Sequence, residues 1–197
     1  MNEKLITELY EIGAIQFGKF KLKSGILSPI YLDLRILVSH PRVLRDAARA
    51  LAEKLGALTF DRIAAIPYAA LPIGAALALE MDRPLIYPRQ MKKDYGTERV
   101  IEGTFNAGET AVVIDDVITT GASKFEAIAP LENARLRVRD VVVLVDREQG
   151  GAAEVAARGY TLHAVFTIRE IMRVLKTSGA ISEAQYREVM DFIESEK

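Results

Sequence analysis

The sequence predicts an α/β fold in which a mainly parallel central sheet is flanked by helices. Three observations carry that prediction. Stretches of strand character alternate along the chain with stretches whose apolar residues recur at helical spacing. Several strand stretches, "VVVLVD" among them, are unbroken runs of Val, Ile and Leu. Such runs mark strands covered on both faces, as in parallel sheets. The chain has 197 residues, a length suited to one domain with a substantial core.

Leu5, Leu9 and Ile12 line one face of a first helix. The stretch "KFKLKSGILSPIYLDLR" then mixes turns with short extended pieces. Ser39 and Pro41 open a second helix, in which Leu44, Ala48, Leu51 and Leu55 form the apolar stripe and Gly56 the stop. "RIAAIP" is read as a strand, "PIGAALALEM" as a helix and "PLIYPR" as a strand. "QMKKDYGTERVIEGT" has no apolar period and is highly charged, which predicts a long mobile loop. "ETAVVIDDV", "RVRDVVVLVDR" and "YTLHAVFT" are strands, separated by the helices "GASKFEAIAPLENA" and "GGAAEVAARG". Two helices follow, the last capped by Ser182 with Gln185 three residues on. No repeat, low-complexity segment or linker interrupts this order.

Composition excludes several classes. Net charge is −1, from 26 basic and 27 acidic side chains, so nothing points to nucleic acid or an anionic membrane as partner. Cysteine is absent, which removes disulfides and thiolate chemistry and fits a reducing cytoplasm. With only His40 and His163, a histidine-rich metal site is not expected. "MNEKLITELYEIGAI" lacks the continuous apolar middle of a secretory signal. Ile63 to Leu79 approaches the length of a membrane span, but Pro67, Pro72 and Gly74 break it. It reads as a buried strand, a turn and a helix start.

The stretch with most chemical content is "VVIDDVITTGAS", Val112 to Ser123. Asp115 and Asp116 end a buried strand, Val117 and Ile118 follow, and Thr119, Thr120, Gly121, Ala122 and Ser123 turn into a helix. A helix start offers unpaired N–H groups and the positive end of the peptide dipoles. Gly121 allows close backbone approach, and the hydroxyls add donors, so the turn suits a phosphate. Two bare carboxylates would repel that phosphate, so they must serve something else. Sugar hydroxyls fit, because carboxylates accept their protons, and a magnesium ion would help to neutralise the crowd. The plainer reading makes Asp115 a solvated strand end and the threonines a helix cap. The joined pattern instead handles a diol and a phosphate at fixed separation, as a ribose 5-phosphate presents them.

"VVIDDVITTGAS" resembles the phosphoribosyl pyrophosphate (PRPP) signature of the type I phosphoribosyltransferases. Three further stretches, "FGKFKLKSGILSPIYLDLR", "DYGTERVIEG" and "VVVLVDREQGG", resemble the hood, the end of the catalytic loop and the base-contacting strand of orotate phosphoribosyltransferases. "IPYAALPIG" and "DYG" are similar to the form found in fused uridine monophosphate synthases. The resemblance runs from about Gly13 to Leu175. It implies the type I phosphoribosyltransferase fold, one domain over 1–197 with a hood over about 1–38, a core over about 39–178 and a C-terminal helix over about 182–195. It also implies transfer of phosphoribosyl from PRPP to N1 of orotate, with Mg2+ held mainly by PRPP and water rather than directly by the protein.

The same resemblance assigns residues. Asp115 and Asp116 contact the ribose hydroxyls, residues 117–123 hold the 5-phosphate, and Lys93 is the loop lysine most closely tied to catalysis. Lys23, Tyr68, Ala69, Arg89 and Tyr95 complete the PRPP contacts. Orotate is assigned to Lys23, Tyr31, Leu32, Thr119 and Arg147, whose guanidinium fork suits the orotate carboxylate. Read alone, Lys23 is an ordinary surface lysine, Tyr31 a core aromatic, and Arg147 half of a surface pair with Asp146. A homodimer is implied, with the 89–104 loop contributed in trans, and an orotidine monophosphate decarboxylase is a possible partner. The loop departs from the usual Arg-Lys-Glu-x-Lys: "RQMKK" puts Gln90 for a lysine and Met91 for a glutamate. Tyr95 stands where many members have histidine, and Ala69 where many have lysine. Two alternatives stay open, a phosphoribosyltransferase for another base and a non-catalytic PRPP-sensing regulator on the same fold.

Overall fold

The computed structural model describes residues 2–21, 25–89 and 100–195. In chain order its helices are α1 (Asn2–Glu11), α2 (Pro41–Leu55), α3 (Ala70–Met81), α4 (Ala122–Asn133), α5 (Gly151–Ala157), α6 (Ile168–Thr177) and α7 (Glu183–Ser195). The strands are β1 (Ile15–Lys21), β2 (Leu27–Leu32), β3 (Arg62–Ala65), β4 (Leu85–Pro88), β5 (Ile101–Glu102), β6 (Thr110–Ile118), β7 (Arg137–Asp146) and β8 (Thr161–Thr167). A 3-10 turn spans Leu34–Ser39.

Six strands form the central sheet in the order β5-β4-β3-β6-β7-β8. All neighbours are parallel except β5, which runs antiparallel to β4. Consecutive residues divide between two cores, as strand alternation requires. Val112, Ile114, Val142 and Leu144 face a core shared with α1, α2, α3, α6 and α7. Val113, Val141 and Val143 face a second core with Ile128 and Leu131 of α4 and Val155 of α5. Both faces are therefore covered, which explains the unbroken apolar runs. β1 and β2 form a separate antiparallel pair, anchored to the first core by Ile15 and Ile30.

Strand order reverses between β3 and β6. The chain moves outward through β4 and β5 on one side and through β7 and β8 on the other. In open α/β sheets ligands gather at the carboxyl ends of the strands at such a point. Glycines draw the layers close there. A Cβ on Gly74 would lie 2.6 Å from the Ala65 Cβ, so α3 can rest on β3 only with glycine.

Two expectations need correction. Ser39 ends the 3-10 turn and does not open α2; His40 takes the cap position, without a side-chain cap bond, and Pro41 is the first helical residue. The charged stretch after Arg89 is not all loop, because Ile101–Glu102 form β5 against Tyr87 and Pro88; residues 90–99 lie outside the described residues. The stretch Ile63 to Leu79 is, as read, a strand (β3), a turn and a helix (α3), and among the described residues no helix is long and apolar enough to cross a membrane. The α7 cap is as read: Gln185 N donates to Ser182 Oγ, and Ser182 N to Gln185 Oε1.

Candidate functional site

β6 carries Val112–Ile118 between β3 and β7, and its last residues emerge at the point of reversal. Asp115 is only 5% exposed, so it is not a solvated strand end. Its Oδ2 pairs with Lys124 Nζ at 2.5 Å, and its Oδ1 accepts from the Asp116 amide at 2.8 Å. Asp116 is partly exposed. Burial first, and then the neighbouring Asp115 carboxylate, push its carboxyl up to about 7 from an ordinary 3.8. The two carboxylates are thus unequal.

Beyond them the backbone turns. Gly121 has φ 90° and caps α4, whose first residues are Ala122 and Ser123. A positive φ of that size favours glycine. Gly121 has no side chain to cap this helix, and the first amides of α4 lie beside the turn formed with Thr119 and Thr120. Thr120 is exposed and Thr119 partly so, whereas Ile118 is fully buried and can meet a ligand only through its backbone. The turn can therefore receive an anion.

β7 supplies the next component. Arg147 follows its last residue, and its amide donates to the Ile118 carbonyl at 3.0 Å. The guanidinium is 6% exposed, and burial lowers its proton affinity. Among the described residues no carboxylate pairs with it. Among the described residues its side chain makes one hydrogen bond, from Nη2 to Ser28 Oγ at 3.2 Å. The surface pair with Asp146 does not exist: Asp146 is itself buried, and its Oδ1 accepts from the Glu148 amide at 2.8 Å. A buried guanidinium without a counter-charge is costly unless an anionic ligand completes it.

Ser28 belongs to β2, so the antiparallel pair reaches the base of the site. Strand alternation puts Leu32 on the Ser28 face, packed towards the first core. Tyr31 projects from the opposite face. Its ring stacks on Phe20 at 5.3 Å, and its hydroxyl accepts from Arg35 at 3.0 Å. The structure therefore does not bring Tyr31 and Leu32 to one surface.

On the other side of β6, Ile66 N donates to the Ile114 carbonyl at 3.0 Å and leads into Pro67, Tyr68 and Ala69. Tyr68 is 69% exposed at the rim, after a cis Pro67–Tyr68 peptide, and Ala69 caps α3. Arg89, at the end of β4, forms an ion pair with Glu102 of β5. Among the described residues its buried Nη1 has no hydrogen-bond partner. A cleft of about 380 Å³ opens beside Ile66, Pro67 and Arg89. Lys23, Lys93 and Tyr95 lie outside the described residues.

Reading the sequence missed three contributors. Lys124 is buried at 6% exposure and also donates to the Val117 carbonyl at 2.7 Å. Ser28 is the hydroxyl that meets Arg147. Gly151 lets α5 approach the turn: a Cβ there would lie 2.6 Å from the Thr119 carbonyl oxygen and 2.7 Å from Ile118 Cγ1. The doubled Gly150-Gly151 was the available signal for the last; nothing local marked the other two.

Residues 34–159 match the phosphoribosyl transferase domain family. The chain is 44% identical to the bifunctional enzyme PyrF/PyrE of Nostoc sp. over 92% of its own length and 38% of that protein's. It is 37% identical to the orotate phosphoribosyltransferase of Pyrococcus furiosus, over 90% of this chain and 99% of that one. Among solved structures, the uridine monophosphate (UMP) synthase of Leishmania donovani superposes with a TM-score of 0.92 at 42% identity, covering 98% of this chain and 42% of that chain. The chain thus spans about two fifths of the length of the bifunctional relative and of that synthase.

Proposed function

The chain belongs to the phosphoribosyl transferase domain family and, within it, to the orotate phosphoribosyltransferases, and from that premise we propose that it transfers the 5-phosphoribosyl group of PRPP to N1 of orotate, giving orotidine 5'-monophosphate and pyrophosphate. The observation that carries the substrate assignment is Arg147, a buried guanidinium with no carboxylate partner among the described residues, one strand away from an anion-receiving turn. A planar fork in that state suits a carboxylate-bearing base.

In this reading the 5-phosphate sits in the 117–123 turn, against the amides at the start of α4. Asp115 and Asp116 accept from the ribose hydroxyls. Tyr68 and Ala69 border the diphosphate, with Arg89 beside it. Arg147 takes the orotate carboxylate, Thr119 and Leu32 border the base, and Lys23 is assigned to both PRPP and orotate. Tyr31, held by Phe20 and Arg35, has packing partners of its own and is the weakest of the base assignments. Orotate N1 attacks C1 as the bond from C1 to the diphosphate oxygen breaks through an oxocarbenium-like state. Lys93 and Tyr95, on the 89–104 loop, would meet the charge that develops on the leaving diphosphate.

Magnesium suits this chemistry as the counter-ion of the diphosphate. Among the described residues no group of three His, Cys, Asp or Glu side chains could cage a metal. Asp115 is already paired with Lys124. In this reading the ion is held mainly by PRPP and water, with Asp116 the protein oxygen we assign to its outer shell.

The chain would act as one catalytic unit, hood 1–38, core 39–178 and helix 182–195, in a cytoplasmic homodimer whose 89–104 loops reach the partner's site. The length of the bifunctional relatives supports an orotidine monophosphate decarboxylase as the partner activity.

The test is direct. Chain, PRPP, magnesium and orotate are mixed, and the orotate absorbance is followed together with the appearance of orotidine monophosphate. Turnover with adenine or hypoxanthine in place of orotate would assign another base. PRPP binding without any turnover would make the protein a sensor.

A further inference from the structure

Among the described residues, Lys124 is the buried cation that the proposed chemistry leaves without a task. It occupies the third helical position of α4, counted from the Gly121 cap. Two costs attach to a lysine there. It is 6% exposed, and it stands at the positive end of a helix dipole, where cations are disfavoured. A fold needing only filler would carry an apolar side chain, since a buried ion pair gains little over well-packed apolar residues.

Its contacts suggest the task. Nζ lies 2.5 Å from Asp115 Oδ2 and 2.7 Å from the Val117 carbonyl oxygen. One ammonium thus ties the first turn of α4 to the strand end on the far side of the 119–123 turn. Asp115 is fixed from a second direction by the Asp116 amide at its Oδ1. The carboxylate is held at both oxygens, so its orientation follows Lys124.

We propose that Lys124 is a positioning residue for PRPP: it fixes the Asp115 carboxylate and cancels its charge, so that a diol-binding acid and a phosphate-binding turn can share one strand end. This rests on the reading of residues 115–123 as the PRPP site. Lys124 touches no ligand in it and acts through Asp115.

A double-mutant cycle on PRPP affinity, read by titration calorimetry, tests this. Lys124→Met is expected to weaken PRPP about tenfold or more, raising KM for PRPP with kcat within about threefold. Asp115→Asn should weaken it comparably, and Lys124→Met added to Asp115→Asn should change affinity by less than about twofold, because the group through which Lys124 acts is already neutral. Lys124→Arg, which keeps the charge, should stay within about threefold of the wild type. Should Lys124→Met alone fail to fold, the comparison of Asp115→Asn with the double variant still decides, since neither leaves a bare buried carboxylate at 115. Multiplying losses, or a lowered melting temperature with unchanged PRPP affinity, overturns the proposal. A wild-type chain that binds PRPP but does not turn over orotate sinks the assigned reaction and leaves this cycle intact. One that binds no PRPP sinks both.

Discussion

Arg147→Met should make this protein a poorer catalyst and a more stable one. Arg147 is 6% exposed, and among the described residues its guanidinium has no carboxylate partner and makes one hydrogen bond, to Ser28. Methionine keeps an unbranched apolar stem and removes the desolvated charge. It orphans nothing on the other side, because Ser28 Oγ still donates to the Ile30 carbonyl at 2.7 Å. The free protein should gain on the order of 1 kcal/mol, about 2–4 °C in melting temperature for a chain of this length. Catalysis should move the other way. Losing one partner of a buried charged pair costs about 2–5 kcal/mol. That is roughly a 30- to 4,000-fold fall in kcat/KM for orotate. PRPP affinity should stay within about threefold, because Arg147 contributes no charge to the sugar phosphate beyond its field. Orotate absorbance, PRPP calorimetry and a thermal melt read the three quantities. A variant that melts several degrees lower with an unchanged KM for orotate would mean that Arg147 is a structural residue, and the substrate assignment would fall with it.

Asp116→Asn probes the raised carboxyl. Because its folded-state value is about 7 against an ordinary 3.8, the folded protein keeps a proton that the unfolded chain releases between those values. Stability therefore declines as pH rises through that window, by at most about 4 kcal/mol. The asparagine variant should melt with the wild type near pH 4 and above it at pH 8; parallel curves across that range would refute the assignment. Gly151→Ala drives a Cβ to 2.6 Å from the Thr119 carbonyl oxygen, so α5 or the turn must shift. The expected cost is about 1–3 kcal/mol in stability with a raised KM for PRPP, and a silent substitution in both assays would count against this tight packing. Gln90→Lys restores the loop charge missing from "RQMKK" and should raise turnover; unchanged steady-state and single-turnover rates would show that this position does not handle the diphosphate.

The fold was legible where local pattern and tertiary position agree. "VVVLVD" could be read as a doubly covered strand because Val141–Val145 do divide between two cores. The 112–123 stretch was legible because turn chemistry is local: an apolar strand, Gly121 at positive φ and a helix start follow within ten residues. β5 was not, since Ile101–Glu102 are held as a strand by β4 and by the Arg89–Glu102 pair, neither of which leaves a period in the sequence. Ser39 reads as a helix cap on propensity, but the preceding 3-10 turn consumes it. Ser28 and Arg147 are 119 residues apart, so their hydrogen bond is a product of topology alone. Lys124 carried the wrong local signal, because a lysine in a first helical turn ordinarily reads as solvated surface.

Two adjacent carboxylates at a strand end have a geometric consequence that composition hides. Successive strand residues face opposite sides of the sheet. Asp115 follows the side of Val113, where α4 packs and Lys124 stands, whereas Asp116 follows the side of Ile114. One acid therefore receives a buried ammonium at 2.5 Å, and the other is pushed up by burial first and then by the charge of its neighbour, more than the Val117 amide and the same ammonium pull it down. The pair is not a doubled charge but a divided one: a carboxylate held and paired from α4, beside a carboxyl whose proton is retained to near-neutral pH. That division lets an anion-receiving turn begin only three residues later, at Thr119. Shifting Lys124 by one helical position would rotate it about 100° around the α4 axis and away from Asp115, leaving the strand end with the repulsion that its sequence at first suggests.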